Sequence, residues 1–390
     1  MSLVQVLNQM TEKVQPVVLT PSGSASVFFR KSGFFDVHEV LALSQFDHTR
    51  YGRYRAFRWL LVLRELVLLP YTFFAVKAFA SKHSDIELIH LNEVTGIIAA
   101  VFLKTFSCKP LIVHIRAHMG QQTQGIRSRF LWKILFRRYV DQIICIDETV
   151  RSSIPQDTGI PITTIHNALD LRSAESAVPV PLPDLIARPS NLMRVAIIGS
   201  LLPVKGVYEF FEAAVCLLRK REDLLFIYVG KGIRRLSGPV SSILQLIKLA
   251  DNTEDNLKGL IVKSGLSSRI LILGHRDDLA NIYKNMDVLC FPSHYNAPGR
   301  PIFEAAYFSK PSIVAIQNPL PDTLIDGITG LAIKARDSVS LANAIEWMAD
   351  NPARRNEMGN QAKNLAIKNF DLKKNVAILL NVYRRLGLKV

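Results

Sequence analysis

Residues 288–315 read VLCFPSHYNAPGRPIFEAAYFSKPSIVA, and this stretch decides the fold. Val288 to Phe291 is a short apolar run closed by a proline, the pattern of a buried strand. Pro298 and Gly299 make a turn, Pro301 suits the first turn of a helix, and residues 302–307 continue that helix. Ser312 to Ala315 is a second apolar run. A helix between two such runs is the crossover that joins parallel neighbours in one sheet.

The same cadence extends in both directions. Residues 194–198, 224–229 and 270–273 read as strands before this stretch, with a helix over 208–220. In the first half, 17–20, 88–91, 111–115 and 142–146 read as strands, each beside a segment of helical length. Between the halves, VPVPLPDLIARPSN at 178–191 holds four prolines in fourteen residues, which suits a connection rather than a helix interior or a central strand. Strands alternating with helices twice over predict an α/β chain of two doubly wound parallel sheets. Residues 350–388 are helical in pattern, with an amphipathic segment at 376–386.

The chain has 390 residues, 49% hydrophobic and 21% charged, which fits two packed domains and excludes a disordered or collagen-like chain. Cys108, Cys145, Cys216 and Cys290 lie far apart with no CxxC pair, so reduced, buried thiols are expected rather than a zinc ribbon or a disulfide framework. The N-terminus lacks a charged region followed by an apolar one, so a cytoplasmic protein is expected. Lys plus Arg number 48 against 33 acids, a net +15, which favours anionic partners. Between residues 48 and 82, Arg50, Arg53, Arg55, Arg58, Arg64, Lys77 and Lys82 face the single acid Glu65 among Trp, Tyr, Phe and Leu. That composition suits a helix lying in the headgroup layer of an anionic membrane, and Arg64, Glu65 and Pro70 argue against a spanning one. No stacking motif, basic helix-turn-helix or dinucleotide glycine fingerprint is present, so neither nucleic acid nor a nicotinamide cofactor is expected.

In doubly wound folds a ligand sits outside the carboxyl ends of the strands, so the loops there carry the chemistry. After residues 194–198 comes Gly199-Ser200-Leu201-Leu202-Pro203-Val204-Lys205-Gly206, which places a lysine at the mouth of a helix where phosphate would sit. After Phe291, the turn before the next helix is expected to present the N–H groups of Ile302 and Phe303 to an anion. Glu304 in that helix can accept two sugar hydroxyls.

These residues resemble the donor half of the retaining glycosyltransferases of family 4, glycosyl transferases group 1. The resemblance rests on five elements in order: GSLLPVKG at 199–206, GHRDD at 274–278, Asp287-Val288 with Pro292-Ser293, the pair Asn296 and Glu304, and DTLIDGITGL at 322–331. The first half matches more loosely, at 89–92, at Val113-His114-Ile115-Arg116, and at 164–170. The resemblance implies the GT-B fold, two Rossmann-like domains with an interdomain cleft. Residues 1–180 would be the acceptor-side domain, 181–192 a linker, 193–370 the donor domain and 371–390 a helix crossing back to the first domain. It implies transfer of a sugar from a nucleotide-diphosphate donor to a glycan or lipid-linked acceptor such as a polysaccharide or lipopolysaccharide precursor. Configuration would be retained, with no metal and no cofactor.

Carried over by position, Lys205 binds the pyrophosphate, Glu304 the ribose, and backbone at Ile302 and Phe303 the phosphate. Gly199 lets the donor approach backbone, His275 and Arg276 flank the base, and His114 lies near the donor sugar. Two positions depart from the pattern. Ser200 replaces an arginine, for which Arg300 is the expected substitute, and Asn296 replaces a glutamate while keeping an amide for the donor sugar. A nucleotide-sugar epimerase of the same fold, and a non-catalytic partner of another transferase, are the rival readings.

Overall fold

The computed structural model describes residues 2–31, 33, 36–45, 59–119, 130–169, 179–187, 191–232 and 253–389. The chain divides into two compact units, Met1–Leu169 with Asp371–Val390, and Asp170–Phe370.

In the first unit, β1 (Val17–Pro21) and β2 (Asp36–Val40) form a parallel pair. A separate parallel sheet holds β3 (Ile89–Leu91), β4 (Leu111–Ile115), β5 (Gln142–Cys145) and β6 (Ile162–Thr164) in that order. Every residue of β4 is buried, so both faces of the sheet are covered there. Leu111, Val113 and Ile115 pack with Ile97, Val101 and Leu103 of the helix Ile97–Ser107. Ile112 points the other way, as strand alternation requires, and joins Ile144 and Ile165 against Met10, Val376, Leu379 and Leu380. The last four come from the helices Ser2–Met10 and Leu372–Arg385. The C-terminal helix thus belongs to the first unit, with Leu169 and Asp371 bridged and Asn375 donating to the His166 carbonyl at 3.1 Å.

The helix Trp59–Lys82 continues through Pro70. Its Thr72 hydroxyl and Glu65 carboxylate accept the N–H groups of Ser44 and Gln45 at 2.8 and 2.6 Å. Val76 and Phe79 enter the core, whereas Leu63, Leu66, Val67 and Phe74 are exposed. Arg50, Arg53, Arg55 and Arg58 lie outside the described residues. No described helix is long and apolar enough to cross a membrane.

The second unit has one six-stranded parallel sheet. Its strands are β7 (Met193–Ile198), β8 (Leu224–Val229), β9 (Ile270–Ile272), β10 (Val288–Phe291), β11 (Ser312–Ala315) and β12 (Gly330–Ile333). The spatial order is β12-β11-β10-β7-β8-β9. The chain moves outward from β7 to β9, then returns and moves outward the other way from β10. Between β7 and β10 the strand order reverses, the position at which doubly wound folds take their ligands. Phe210 of the helix Val207–Leu218 seals the core beneath, with its ring 5.3 Å from Phe226 and 5.0 Å from Tyr228.

Three sequence expectations need correction. The unit boundary falls after Leu169, not at 180, and the proline-rich stretch expected as a connection packs on the second unit. Val180 donates its N–H to Asp278 at 3.0 Å and accepts from Arg276 at 2.7 Å, and Asp184–Ala187 forms a short helix. Strands β2, β6 and β12 went unread because DVHEV is half polar, ITT is short and GLAI opens on glycine. The four cysteines are free, yet only Cys145 and Cys290 are buried, where burial raises their thiol pKa values; Cys108 and Cys216 are exposed.

Two variants check this architecture. Leu380→Ala removes a side chain that only tertiary packing places, and should cost roughly 2–5 kcal/mol in a denaturant titration. A loss within about 0.5 kcal/mol would show that the C-terminal helix is not packed on the sheet. Gly206 has φ +76°, and a Cβ there would lie 2.1 Å from the Pro292 carbonyl oxygen. Gly265, at φ +73°, has nothing within 4 Å of such a Cβ. Gly206→Ala should therefore lower the melting temperature clearly more than Gly265→Ala, and equal losses would show that the contact with Pro292 is not limiting.

Candidate active site

Two loops meet where the strand order reverses. The first leaves β7 at Gly199, whose N–H donates to the Val229 carbonyl at 2.9 Å, and Leu201 N–H donates to Lys231 at 3.1 Å. Pro203 then starts a single 3₁₀ turn, Pro203–Lys205, and Gly206 in the left-handed region turns the chain into the helix Val207–Leu218. The second loop leaves β10 at Pro292, and three ties hold it to the first. The Gly206 backbone abuts Pro292, His294 N–H donates to the Val204 carbonyl at 2.9 Å, and the His294 ring lies 2.7 Å from Glu209.

Lys205 sits half-buried at this junction. Its ammonium lies 5.5 Å from the centre of the Phe291 ring and 5.8 Å from that of Tyr295. Burial lowers its pKa, and no carboxylate lies within ion-pair distance of it among the described residues. A desolvated cation between two aromatic faces is positioned to receive an anion.

Glu304 is buried in the helix Arg300–Tyr307. One carboxylate oxygen accepts from Tyr283 at 2.7 Å and the other from Arg300 at 2.6 Å. Burial, and after it the Glu304 carboxylate, raise the Tyr283 pKa well above its ordinary value, so the phenol stays a donor. Each Glu304 oxygen retains a second lone pair, so the group can accept further donors while held rigidly. Gly299 caps this helix without a side-chain cap, and a Cβ there would lie 2.2 Å from the Phe291 ring.

Several expected roles are changed by the geometry. The Ile302 N–H is not open to an anion, since it donates to the Gly299 carbonyl at 3.0 Å. Arg276 is engaged within its own unit, where Asp278 and the Val180 carbonyl take its guanidinium at 2.7 Å. That hydrogen bond holds the Asp278 pKa down to about 2. Arg300 is tied to Glu304, so it does not stand free in place of the arginine lost at Ser200. Ser200 and His275 are exposed, the latter 3.3 Å from Asp277. The Asn296 amide oxygen accepts from Gln317 N–H at 2.6 Å, leaving its amino group for a ligand.

In the first unit, a cavity of about 840 Å³ is lined by apolar side chains from the N-terminal helix and by His90, Asn92, His114, Arg116, Asn167 and Tyr383. Arg116 donates to Asn92 at 2.8 Å and to Asn167 at 2.7 Å, and burial lowers its pKa to about 10. His90, Asn92, Arg116 and Asn167 lie in the first-half stretches that resemble the family, and among the six only His114 carries an expected role. The signal for His90 was available, since strand alternation in β3 and β4 places both histidines on one face. Tyr383, and Tyr283 beneath Glu304, carried no signal, because each arrives from an element distant in the chain.

Residues 2–173 match the family model Glycosyltransferase Family 4, and residues 186–365 match the model Glycosyl transferases group 1. A relative from Escherichia coli, UDP-Gal:alpha-D-GlcNAc-diphosphoundecaprenol alpha-1,3-galactosyltransferase, is 24% identical over 315 residues, covering 77% of this chain and 76% of that protein. Alpha-D-kanosaminyltransferase of Streptomyces kanamyceticus is 26% identical over 193 residues, 49% of this chain and 45% of its own length. Among solved structures, Anabaena HepE in complex with UDP superposes with a TM-score of 0.74 at 16% identity, over 98% of this chain and 95% of that one. Sucrose-phosphate synthase from Thermosynechococcus elongatus superposes at 0.65 and 18% identity, over 96% and 99%. With both halves matched in order, and the whole fold shared with HepE, the chain belongs to the GT-B glycosyltransferases of group 1.

Proposed function

We propose that the protein is a retaining glycosyltransferase that moves a sugar from a nucleotide-diphosphate donor to a lipid-linked or polysaccharide acceptor, without a metal. The observation that carries this reading is Lys205, a half-buried ammonium with no carboxylate beside it among the described residues, at the point where the strand order reverses. As the bond from the anomeric carbon to the diphosphate breaks, negative charge gathers on the departing oxygen. A fixed, desolvated cation stabilises that charge more than it stabilises the ground state, which is the condition for a faster reaction. Glu304, braced by Tyr283 and Arg300, takes the ribose hydroxyls, and the Asn296 amino group meets the sugar. The acceptor occupies the 840 Å³ cavity of the first unit, whose apolar lining suits a lipid-linked glycan. The undecaprenol named for the Escherichia coli relative supports that class, and the UDP named for HepE makes uracil the first base to try.

We place the protein in the cytoplasm, peripheral on an anionic membrane. Leu63, Leu66, Val67 and Phe74 form an exposed apolar face on the helix Trp59–Lys82, and Lys77 and Lys82 lie on the same helix. Apolar side chains beside cations match the acyl boundary and headgroups of anionic lipid.

Calorimetry with EDTA present, using UDP, GDP, ADP and their sugar conjugates, tests the donor site. One nucleotide should bind, and Lys205→Ala should weaken it by about 10-fold or more, as expected for losing a hydrogen-bonded charge of roughly 1.5–3 kcal/mol. Binding unchanged in that variant would remove Lys205 from the pyrophosphate. Absence of binding by any nucleotide would favour the partner reading, in which Ser200 and Asn296 mark a site that no longer takes donor. For the membrane, the triple variant Leu66→Ser, Val67→Ser, Phe74→Ser should cosediment less with phosphatidylglycerol vesicles than the parent chain does. Undiminished cosedimentation would show that this face does not contact lipid.

A further inference from the structure

Two histidines and a tyrosine in the first unit form a hydrogen-bonded row. Tyr383 Oη lies 2.6 Å from His90 Nδ1, and His90 Nε2 lies 3.3 Å from His114 Nδ1. Strand alternation produces the row, because Ile89, Leu91, Leu111 and Val113 turn to one face while His90, Ile112 and His114 turn to the other. That second face is covered by the helix Leu372–Arg385, which brings Tyr383 to the edge of β3.

The direction of each bond follows from the chemistry of the ends. Burial and the neighbouring Arg116 charge lower the His90 pKa to about 3, and burial, Arg116 and His90 push His114 well below its ordinary value. Both rings are therefore neutral, each with one N–H and one lone pair. Burial raises the Tyr383 pKa, so its hydroxyl keeps its proton. Among the described residues His90 Nδ1 is the one side-chain partner of that hydroxyl. A buried O–H left unpaired costs more than a hydroxyl lone pair left unfilled, so Tyr383 donates. His90 then carries its proton on Nε2 and donates to His114 Nδ1. His114 in turn must carry its proton on Nε2, and that atom is buried with no partner among the described residues.

We propose that Tyr383 and His90 are positioning residues that lock His114 as an Nε2–H donor, so that the polar wall of the cavity offers this N–H, beside the Arg116 guanidinium, to a ligand oxygen. The ligand class is one rich in hydrogen-bond acceptors, as sugar hydroxyls and phosphates are. This selects against a ligand that presents only donors there, such as an ammonium. The inference concerns proton placement and does not rest on glycosyl transfer.

The test is a long-range proton–nitrogen correlation spectrum of the full chain labelled with ¹⁵N-histidine, with the two rings assigned by His90→Gln and His114→Gln. Both rings should show the neutral Nε2–H tautomer at neutral pH. Tyr383→Phe keeps the ring and removes the donor, and should turn the His90 and His114 signals into averages of two tautomers without altering the remaining histidines. A His114 that carries its proton on Nδ1 in the parent chain overturns the proposal. So does a Tyr383→Phe spectrum in which His114 is unchanged. If Tyr383→Phe does not fold, the parent spectrum still decides the tautomer, and His90→Gln decides whether the row sets it.

Discussion

The Gly206 backbone lies against the Pro292 carbonyl with no room for a methyl group between them, and the candidate active site depends on that approach. A side chain at 206 would push the lysine loop off the loop that follows β10. Lys205 would then leave the Phe291 and Tyr295 rings, and the His294 bonds to Val204 and Glu209 would break with it. A contact of backbone against backbone sets the distance between the two loops with little tolerance, which a pair of flexible side chains could not do. A parallel sheet whose order reverses at β7 and β10 supplies the place for it.

The same economy of flexible parts recurs around the charged groups. Glu304 is braced by Tyr283 and Arg300, and Arg276 by Asp278 and the 180–181 backbone. The second brace has a structural use rather than a binding one, since it docks the proline-rich stretch onto its own unit. Lys205 stands apart from both arrangements, because it is desolvated without an anionic neighbour among the described residues. A desolvated cation with no carboxylate beside it is a candidate for an anionic ligand.

In the first unit the governing feature is the two-sided burial of β4. One face is closed by local helices and the other by the last helix of the chain, far away in sequence. Set between the sheet and that helix, His90 and His114 find partners in each other and in Tyr383. The apolar cover that makes the sheet stable is thus also what removes charge from these rings.

Much of this was legible in the order of residues. Alternation of apolar runs with helical segments was enough for two parallel α/β halves, since periodicity is a local property. Lys205 and Glu304 were legible because each sits at a set offset after a strand, where a loop or helix start must lie. What the sequence could not decide was who meets whom. Ile302 N–H was expected to face an anion and instead closes on Gly299, and the bond from Arg276 to Val180 has no signal in the sequence. The docking of residues 179–187 also escaped, as it depends on Asp278, nearly a hundred positions away along the chain. Local pattern determines which elements form and which loops carry charge. Partner choice among polar groups is decided only when folding excludes water and leaves each buried donor and acceptor to the side chains within reach.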